Sequence, residues 1–349
     1  MSNYLCSGID LGDDVSVSGI FFENRSEPEK SCVVDMVRLN LYFFSTSVAF
    51  ADKERLSAEA SRLICRPDYS AICHNLRAVI HCQISEIQEE TLKCFPSMKS
   101  DKDGFVIYEV PFAGKKIQFT PEHLLGSYAA DRIRDIKAER HLDDLRLVLS
   151  VPSYFTEEQI SHFQLGLNIA QISQYTLIHN IDSIAVAYSY MKALHKEFSS
   201  PRTVLFVAAE ACVIRFSNDS YDILSYEFTP NVGTQRINSL IFHEVEKNYK
   251  DIMETQSGFE ELPFVYSKIA AKVMECRNQF LPSFSEFEAT IPEILEDKDF
   301  PFVVEYASLS ERIEEEGLSE VFCGMVKKSG LRGADESKCV YDTVFDPFE

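Results

Sequence analysis

Acidic side chains stand at the end of the first predicted strand of this 349-residue chain. The segment Ser7-Gly-Ile-Asp-Leu-Gly12 alternates as a strand does and runs into a turn. A carboxylate at the end of a strand suits a hydrated divalent cation, so Asp10 is the candidate metal ligand. Asp13 and Asp14 follow, and two further negative charges would repel a phosphate group. The alternative is that Asp10 is a turn carboxylate without a ligand.

A second strand, Val204 to Val207, leads into the sequence Ala-Ala-Glu-Ala-Cys at 208–212. A turn that holds phosphate needs small residues, above all glycine, so that backbone N–H groups can approach the oxygens. Between Gly166 and Gly258 the only glycine is Gly233, and 13 glycines in 349 residues is well below the usual ~7%. The stretch at 208–212 therefore lacks the glycines with which a strand turn would bind phosphate.

Composition excludes several classes of partner. Lys and Arg number 34 against 55 Asp and Glu, a net charge of −21 that would repel nucleic acid. No apolar run approaches the roughly 20 residues that a membrane helix needs. Ten scattered cysteines without a Cys-x-x-Cys pair indicate reduced thiols in a cytosolic protein. We therefore expect a cytoplasmic location, no nucleic acid and no membrane.

Strands alternate with helices along the chain, which predicts an α/β architecture. An antiparallel meander is expected near the N-terminus, the region from Asp52 to about Lys99 favours helix, and a long helix begins at Pro121 with Thr120 as its N-cap. Thr156-Glu-Glu-Gln159 forms a capping box that starts another helix. The polar stretch 196–202 marks an internal boundary, and a second group of strands and helices follows it.

Several motifs, in this order and spacing, resemble the seventy-kilodalton heat-shock chaperone family, and are closest in character to its hundred-and-ten-kilodalton, exchange-factor relatives. They are Ser7–Gly12, Val48–Leu56, Val151-Pro-Ser-Tyr-Phe155, Asn180–Tyr188 and Val232–Asn238. The resemblance implies an actin-like ATPase (ribonuclease H-like) fold with two lobes around a nucleotide cleft. Lobe I would span 1–195 with an outer subdomain at about 40–118, and lobe II 203–349 with an outer subdomain at about 229–306. The fold is expected to be C-terminally truncated, without a substrate-binding domain.

The same resemblance implies that the family's catalytic positions are replaced here. Arg62 aligns with the catalytic lysine, whose compact ammonium a planar guanidinium does not reproduce; a surface arginine is the alternative. Ile181 stands for a glutamate that holds magnesium-bound water, Ala208 for a metal-facing aspartate and Val213 for a phosphate-facing threonine. We expect little or no ATP hydrolysis.

Other positions keep a possible binding role. Asp10 and Gly12 match the first phosphate turn, Asp13 replaces a threonine there, and Gly233 retains the first glycine of a later phosphate turn. Glu275 and Arg277 lie where the family has an adenosine-binding helix, although a solvated helix face explains them equally well. ATP or ADP with magnesium is therefore expected to bind weakly or not at all.

The resemblance and the substitutions leave three functions open. The first is a co-chaperone that acts as nucleotide exchange factor for an active heat-shock chaperone. The second is a weak ATP-binding chaperone ATPase module. The third is a non-catalytic scaffold at the ribosome beside J-domain proteins. The expected partner is accordingly an active heat-shock chaperone or a J-domain protein.

Overall fold

The structure is a computed structural model. It describes residues 3–23, 32–34, 44–51, 53–58, 60–61, 71–141, 145–194, 201–207, 210–217, 220–228, 234–254, 263–278, 285–295, 298–315, 324 and 327–329.

In these residues the strands are β1 (Asn3–Leu11), β2 (Val15–Glu23), β3 (Cys32–Val34), β4 (Phe44–Ser45), β5 (Val48–Ala51), β6 (Glu54–Ser57), β7 (Ile72–Cys73), β8 (Met98–Ser100), β9 (Val106–Phe112), β10 (Lys115–Phe119), β11 (Leu147–Val151), β12 (Tyr175–His179), β13 (Arg202–Val207), β14 (Glu210–Phe216), β15 (Tyr221–Phe228), β16 (Glu286–Leu295) and β17 (Lys298–Glu305). The helices are α1 (Glu89–Cys94), α2 (Pro121–Arg140), α3 (Glu157–Ile169), α4 (Asn180–Leu194), α5 (Thr234–Glu254), α6 (Pro263–Asn278) and α7 (Tyr306–Glu315).

The first sheet is mixed and has the strand order β12-β11-β1-β2-β3, with β4 paired to β2. β1 runs parallel to β11, with Asp10 opposite Ser150, and antiparallel to β2. β11 and β12 are also parallel. Parallel neighbours bring their carboxyl ends to one edge of the sheet, so the residues after β1 and β11 meet there.

The remaining strands form smaller antiparallel sheets: β6-β5-β7, β10-β9-β8, β13-β14-β15 and the hairpin β16-β17. Between β13 and β14 the pairing runs from Arg202 opposite Phe216 to Val207 opposite Ala211. Of the stretch 208–212 predicted as a phosphate turn, residues 210–212 begin β14, the central strand of its sheet, and 208–209 lie outside the described residues.

Local signals position the two helices beside the first sheet. The Thr120 side chain accepts a hydrogen bond from the His123 N–H, and Thr156 and Gln159 form the predicted capping box. The helices α2 and α3 then cross in close contact at Gly126 and Gly166, because a Cβ on Gly126 would lie 2.1 Å from the carbonyl oxygen of Gly166. Glycine at that crossing lets the two backbones touch.

Buried apolar side chains form separate clusters. The largest extends from Ile9 on β1 to Leu167 on α3 and includes the region around β9. A second joins α5, α6, β16, β17 and α7. A third packs Ile181, Ala185 and Tyr188 of α4 against β14. Separate cores fit the expected multi-lobed arrangement, whose boundaries stay a prediction.

The helical prediction for 52–99 is wrong over most of the described part of that region. The described residues of that region contain β6, β7, β8, a 3₁₀ helix at Ile84–Glu86, the six-residue helix α1 and two further helical residues, Ala60 and Ser61. β5 pairs with both β6 and β7, so Ala49 faces Ile72 across the sheet. Pairing between strands of two to four residues leaves too few positions for alternation to be visible in the sequence.

Within the described residues, no helix is both long and apolar enough to span a membrane.

Candidate functional site

In the turn after β1, the backbone at Gly12 lies very close to the backbone at Val15. A Cβ at Gly12 would lie 2.1 Å from the carbonyl oxygen of Val15, so only glycine fits without a shift. The Thr46 N–H donates to the Asp14 carbonyl at 2.9 Å and fixes the turn against the strand region that follows β4. This tight turn places Asp10 and Asp13 at the carboxyl edge of the first sheet.

One arginine binds both carboxylates. The Arg77 Nε lies 2.8 Å from Asp13 Oδ1, and its Nη1 lies 3.4 Å from Asp10 Oδ1. Ser150 on β11 donates from its Oγ to the same Asp10 oxygen at 2.6 Å. One of the two Asp10 carboxylate oxygens thus contacts a hydroxyl and a guanidinium of the chain itself.

Arg77 is held in a buried position. Its side chain is only 11% exposed, and the neighbouring Leu76 and Ile80 are fully buried in the largest core. The Tyr108 hydroxyl donates to the His74 carbonyl, which anchors the segment before Arg77. Burial by itself lowers the pKa of Arg77, but the carboxylates of Asp13 and Asp10 outweigh it and raise that pKa above its usual value. The guanidinium is therefore charged at any accessible pH.

Glu210, at the start of β14, points toward the residues that follow β11. Its Oε1 and Oε2 accept from the Ser153 backbone N–H at 3.0 and 3.2 Å. The Asn180 Nδ2 donates to the same Oε1 at 3.4 Å. Beside this contact the ring of Tyr154 stacks on Phe228 of β15, with centroids 3.9 Å apart. The β13–β15 sheet is thereby joined to the edge of the first sheet.

Tyr154 lies among the charged groups of both turns. Burial raises the pKa of its hydroxyl, the nearby carboxylates of Asp13 and Glu210 raise it further, and Arg77 partly opposes them. The phenol is therefore neutral at neutral pH.

Two of the positions predicted to replace catalytic residues carry buried apolar side chains. Ile181, 6% exposed, packs in the cluster between α4 and β14, and Val213, 1% exposed, lies in the middle of β14. Methyl groups neither coordinate a cation nor donate to an oxygen. These positions contribute packing and no polar group.

The other predicted site residues are not brought to this cluster, or fall outside the description. Glu275 lies on an exposed face of α6, where its carboxylate is 2.6 Å from Lys272 Nζ. Arg277 belongs to the same helix, and its side chain lies outside the described residues. Arg62, Ala208 and Gly233 lie outside them as well. Their assigned roles stay predictions.

Sequence reasoning missed Arg77, Ser150 and the bond from Ser153 to Glu210. Arg77 did carry a signal, because it is the single charged residue in the mostly apolar run from Ala71 to Ile80. A charge in such a run is buried only when it is paired. Its partners lie 64 and 67 positions away, and nothing in the sequence identifies them.

Comparison with known proteins places the chain in a family. The model of the Hsp70 protein family matches residues 6–273, which is more than half of the chain. The chain therefore belongs to the Hsp70 family, and its fold is the actin-like ATPase fold of that family's nucleotide-binding domain. Domains of this family bind ATP and ADP with magnesium.

Relatives include both seventy-kilodalton proteins and larger ones. The chain is 24% identical to Heat shock protein 88 of Dictyostelium discoideum over 76% of this chain and 34% of that protein. It is 22% identical to Heat shock protein 110 of Caenorhabditis elegans over 74% of this chain and 34% of the relative. A third relative, a Heat shock 70 kDa protein of Trichophyton rubrum, is 24% identical over 90% of this chain and 46% of its own length. The chain spans less than half the length of each.

At the predicted nucleotide positions, Asp10 and Asp13 contact Arg77, Asp10 also accepts from Ser150, and the Ile181 and Val213 side chains offer no oxygen. The Asp10 side chain remains 53% exposed. Within the described part of the chain, no group of three or more His, Cys, Asp or Glu side chains is arranged to hold a metal ion. Weak binding of a magnesium-bound nucleotide stays a prediction.

Proposed function

We propose that this chain is a non-hydrolysing Hsp70-family domain that acts in the cytoplasm as a co-chaperone. Its partner is the nucleotide-binding domain of an active heat-shock chaperone, from which it accelerates the release of ADP. The hundred-and-ten-kilodalton relatives that the sequence resembles are expected to act in this way. Heat shock protein 110 of Caenorhabditis elegans, whose name places it in that class, matches 74% of this chain.

The observation that carries the proposal is the pairing of Arg77 with Asp10 and Asp13. A hydrolytic site of this type depends on carboxylates that hold hydrated magnesium and on donors that face the phosphates. Here the carboxylates are bound by a buried guanidinium of the same chain, and Ile181 and Val213 are apolar. A family fold that is kept while its catalytic groups are neutralised supports a role carried by surfaces that contact another protein.

Hydrolysis is tested with the purified protein and magnesium ATP, beside an active seventy-kilodalton chaperone as positive control. We expect steady-state phosphate release that equals a protein-free blank. Turnover above the blank that Asp10→Ala abolishes would contradict the proposal, and such a result would favour the ATP-binding module instead.

Exchange is tested by stopped-flow release of fluorescent ADP from the active chaperone. We expect the release rate to rise with the concentration of this protein and to reach a plateau, and an unrelated acidic protein at equal concentration to have no effect. An unchanged rate at saturation, together with no complex on a sizing column, would overturn the exchange-factor role. An unchanged rate with a stable complex would favour the scaffold.

A further inference from the structure

Glu210 is the one acidic residue in the Ala-Ala-Glu-Ala-Cys stretch at 208–212, where a phosphate-binding turn needs small residues. Its backbone belongs to β14, the central strand of the β13–β15 sheet. Its carboxylate lies 57 positions away in sequence from the group it binds, the N–H of Ser153 just after β11. The residue therefore connects two sheets that no strand pairing joins among the described residues.

The geometry of this connection is that of an anion in a binding site. Both carboxylate oxygens accept from one backbone N–H, at 3.0 and 3.2 Å, and the Asn180 amide donates to one of them at 3.4 Å. A further donor orients the same turn, because the Ile181 N–H donates to the Ser153 Oγ at 3.2 Å. Hydrogen bonds to an ionised acceptor are about twice as strong as neutral ones.

One side-chain contact lies beside the carboxylate: Tyr154 stacks on Phe228, the β15 residue that pairs with Glu210, with ring centroids 3.9 Å apart. A second contact lies at the other end of the same sheet, where Tyr221 pairs with Phe216 and its hydroxyl donates to Asp182 on α4 at 2.8 Å. Both join residues of the β13–β15 sheet to residues that follow β11 or β12. Glu210 and Tyr154 thus form one of the contacts between the β13–β15 sheet and the residues after β11.

We propose that the Glu210 carboxylate takes the place of a bound anion as the tie between the two predicted lobes. The base of the cleft is closed by the chain's own side chain, and no nucleotide is needed to hold the lobes together. This inference concerns the protein alone, so it stands or fails independently of exchange-factor activity toward a partner.

The test is residue-resolved hydrogen exchange at the Ser153 amide of the full chain. Glu210→Asp keeps the charge and shortens the reach, so the amide should exchange about tenfold faster or more, as expected on losing a charge-assisted hydrogen bond. Glu210→Gln keeps the length of the side chain and removes its charge. In this variant too, the Ser153 amide should exchange faster than in the wild type. Magnesium ATP should leave the wild-type rate unchanged.

Glu227→Ala is the matched control, because Glu227 lies on the neighbouring strand β15 and pairs at the surface with Lys328 at 2.7 Å. It should leave Ser153 exchange unchanged, and circular dichroism should show that all variants are folded. The proposal would be overturned if Ser153 exchanged at the wild-type rate in Glu210→Asp or in Glu210→Gln. It would also be overturned if magnesium ATP slowed Ser153 exchange in the wild-type protein, a measurement that needs no variant.

Discussion

The turn after β1 and the first half of β14 are two of the segments that resemble phosphate turns, and their side chains differ in charge and in packing. After β1 the acidic residues remain and one buried arginine balances them. In the first half of β14 the buried positions, including Cys212 and Val213, are apolar, and only Glu210 is charged. The first segment is stabilised by the positive charge of Arg77, and the second by apolar packing. Substitutions in the two segments should therefore lower stability for different reasons.

The largest expected effect concerns the thiol of Cys212 in β14. Burial, aided by the nearby Glu210 carboxylate, raises its pKa to about 12. A thiol with the ordinary pKa of about 8.5 would have a thiolate fraction roughly a thousandfold greater at pH 7. Iodoacetamide should therefore label Cys212 very slowly, and the rate should rise about tenfold per pH unit toward that pKa.

The half-buried Cys6 on β1 is the internal comparison, and mass spectrometry of tryptic peptides separates the two thiols. Burial raises the pKa of Cys6, and the Arg146 charge opposes that shift. Cys6 should be labelled first. Equal rates would mean that β14 opens readily and is not held by packing.

Arg77→Met should cost the most stability of the substitutions considered. It removes the cation and leaves Asp10 and Asp13 close together, with the Asp13 side chain only 19% exposed. Removing one partner of a buried ion pair costs about 3–5 kcal/mol, and the partial exposure of Asp10 reduces this to about 2–4 kcal/mol. Urea denaturation measures the loss, and adding Asp13→Asn to the variant should recover part of it.

Arg134→Met is the control for that substitution, because Arg134 pairs with Asp131 but its side chain is 71% exposed. An exposed ion pair contributes at most about 1 kcal/mol. If Arg77→Met and Arg134→Met lowered the free energy of unfolding by the same amount, the buried Arg77 would have no special role. The contrast between the two segments would then be wrong.

Val213→Thr tests the packed segment by restoring the hydroxyl that the resembled family has at this position. The side chain is 1% exposed, so the hydroxyl enters an apolar site and should cost about 1–2 kcal/mol of unfolding free energy. Val303→Thr on β17 is the control, since that side chain is 44% exposed and should change stability by less than about 0.5 kcal/mol.

The same variant also tests whether polarity in β14 is enough for a ligand. Isothermal titration should show no gain in binding of magnesium ATP, because Arg77 still occupies the carboxylates of Asp10 and Asp13. A measurable gain would mean that the apolar segment, and not the ion pairs, excludes the nucleotide.

Local chemistry determined which parts of the fold were predictable. Thr120 with Pro121, and Thr156 with Gln159, fixed two helix starts because a cap involves residues three positions apart. Long alternating strands such as β1 and β2 were also recognised. The region around β5 to β7 was missed, because its structure depends on pairing between Ala49 and Ile72, 23 positions apart, and not on any periodic pattern.

Only part of the candidate site was predictable from the sequence. Asp10, Gly12 and Asp13 were predicted because motif and strand coincide, and Ile181 and Val213 because the resembled family is polar there; the roles of all five stay predictions. Arg77 and Glu210 contact residues that are distant in the sequence, and the sequence around an arginine or glutamate does not indicate its partner. The sequence therefore predicted candidate positions but not the contacts that their side chains make.

A further contact between the two predicted lobes involves Lys93 of α1 and should contribute least. Its Nζ lies 3.5 Å from Glu246 of α5, 3.1 Å from Glu89, and 5.8 Å from the ring centroid of Tyr266 on α6. Glu246 is only 8% exposed, but the Lys93 side chain is 26% exposed, so solvent screens the ammonium end of these pairs. Lys93→Met should cost about 1 kcal/mol, and the loss should shrink as salt is raised.

Lys116→Met is the control for Lys93, since Lys116 is 79% exposed and pairs with Glu109 at 2.9 Å. It should change the free energy of unfolding by less than about 0.5 kcal/mol. A double-mutant cycle of Lys93→Met with Glu246→Gln isolates the pair across the lobes from the contacts that Lys93 makes within α1. A coupling of about 2–4 kcal/mol, as large as the cost expected for Arg77→Met, would mean that this pair behaves as a buried ion pair and is not screened by solvent. Charge pairing would then matter as much far from the turn after β1 as it does in that turn, and the contrast between the two segments would lose its basis.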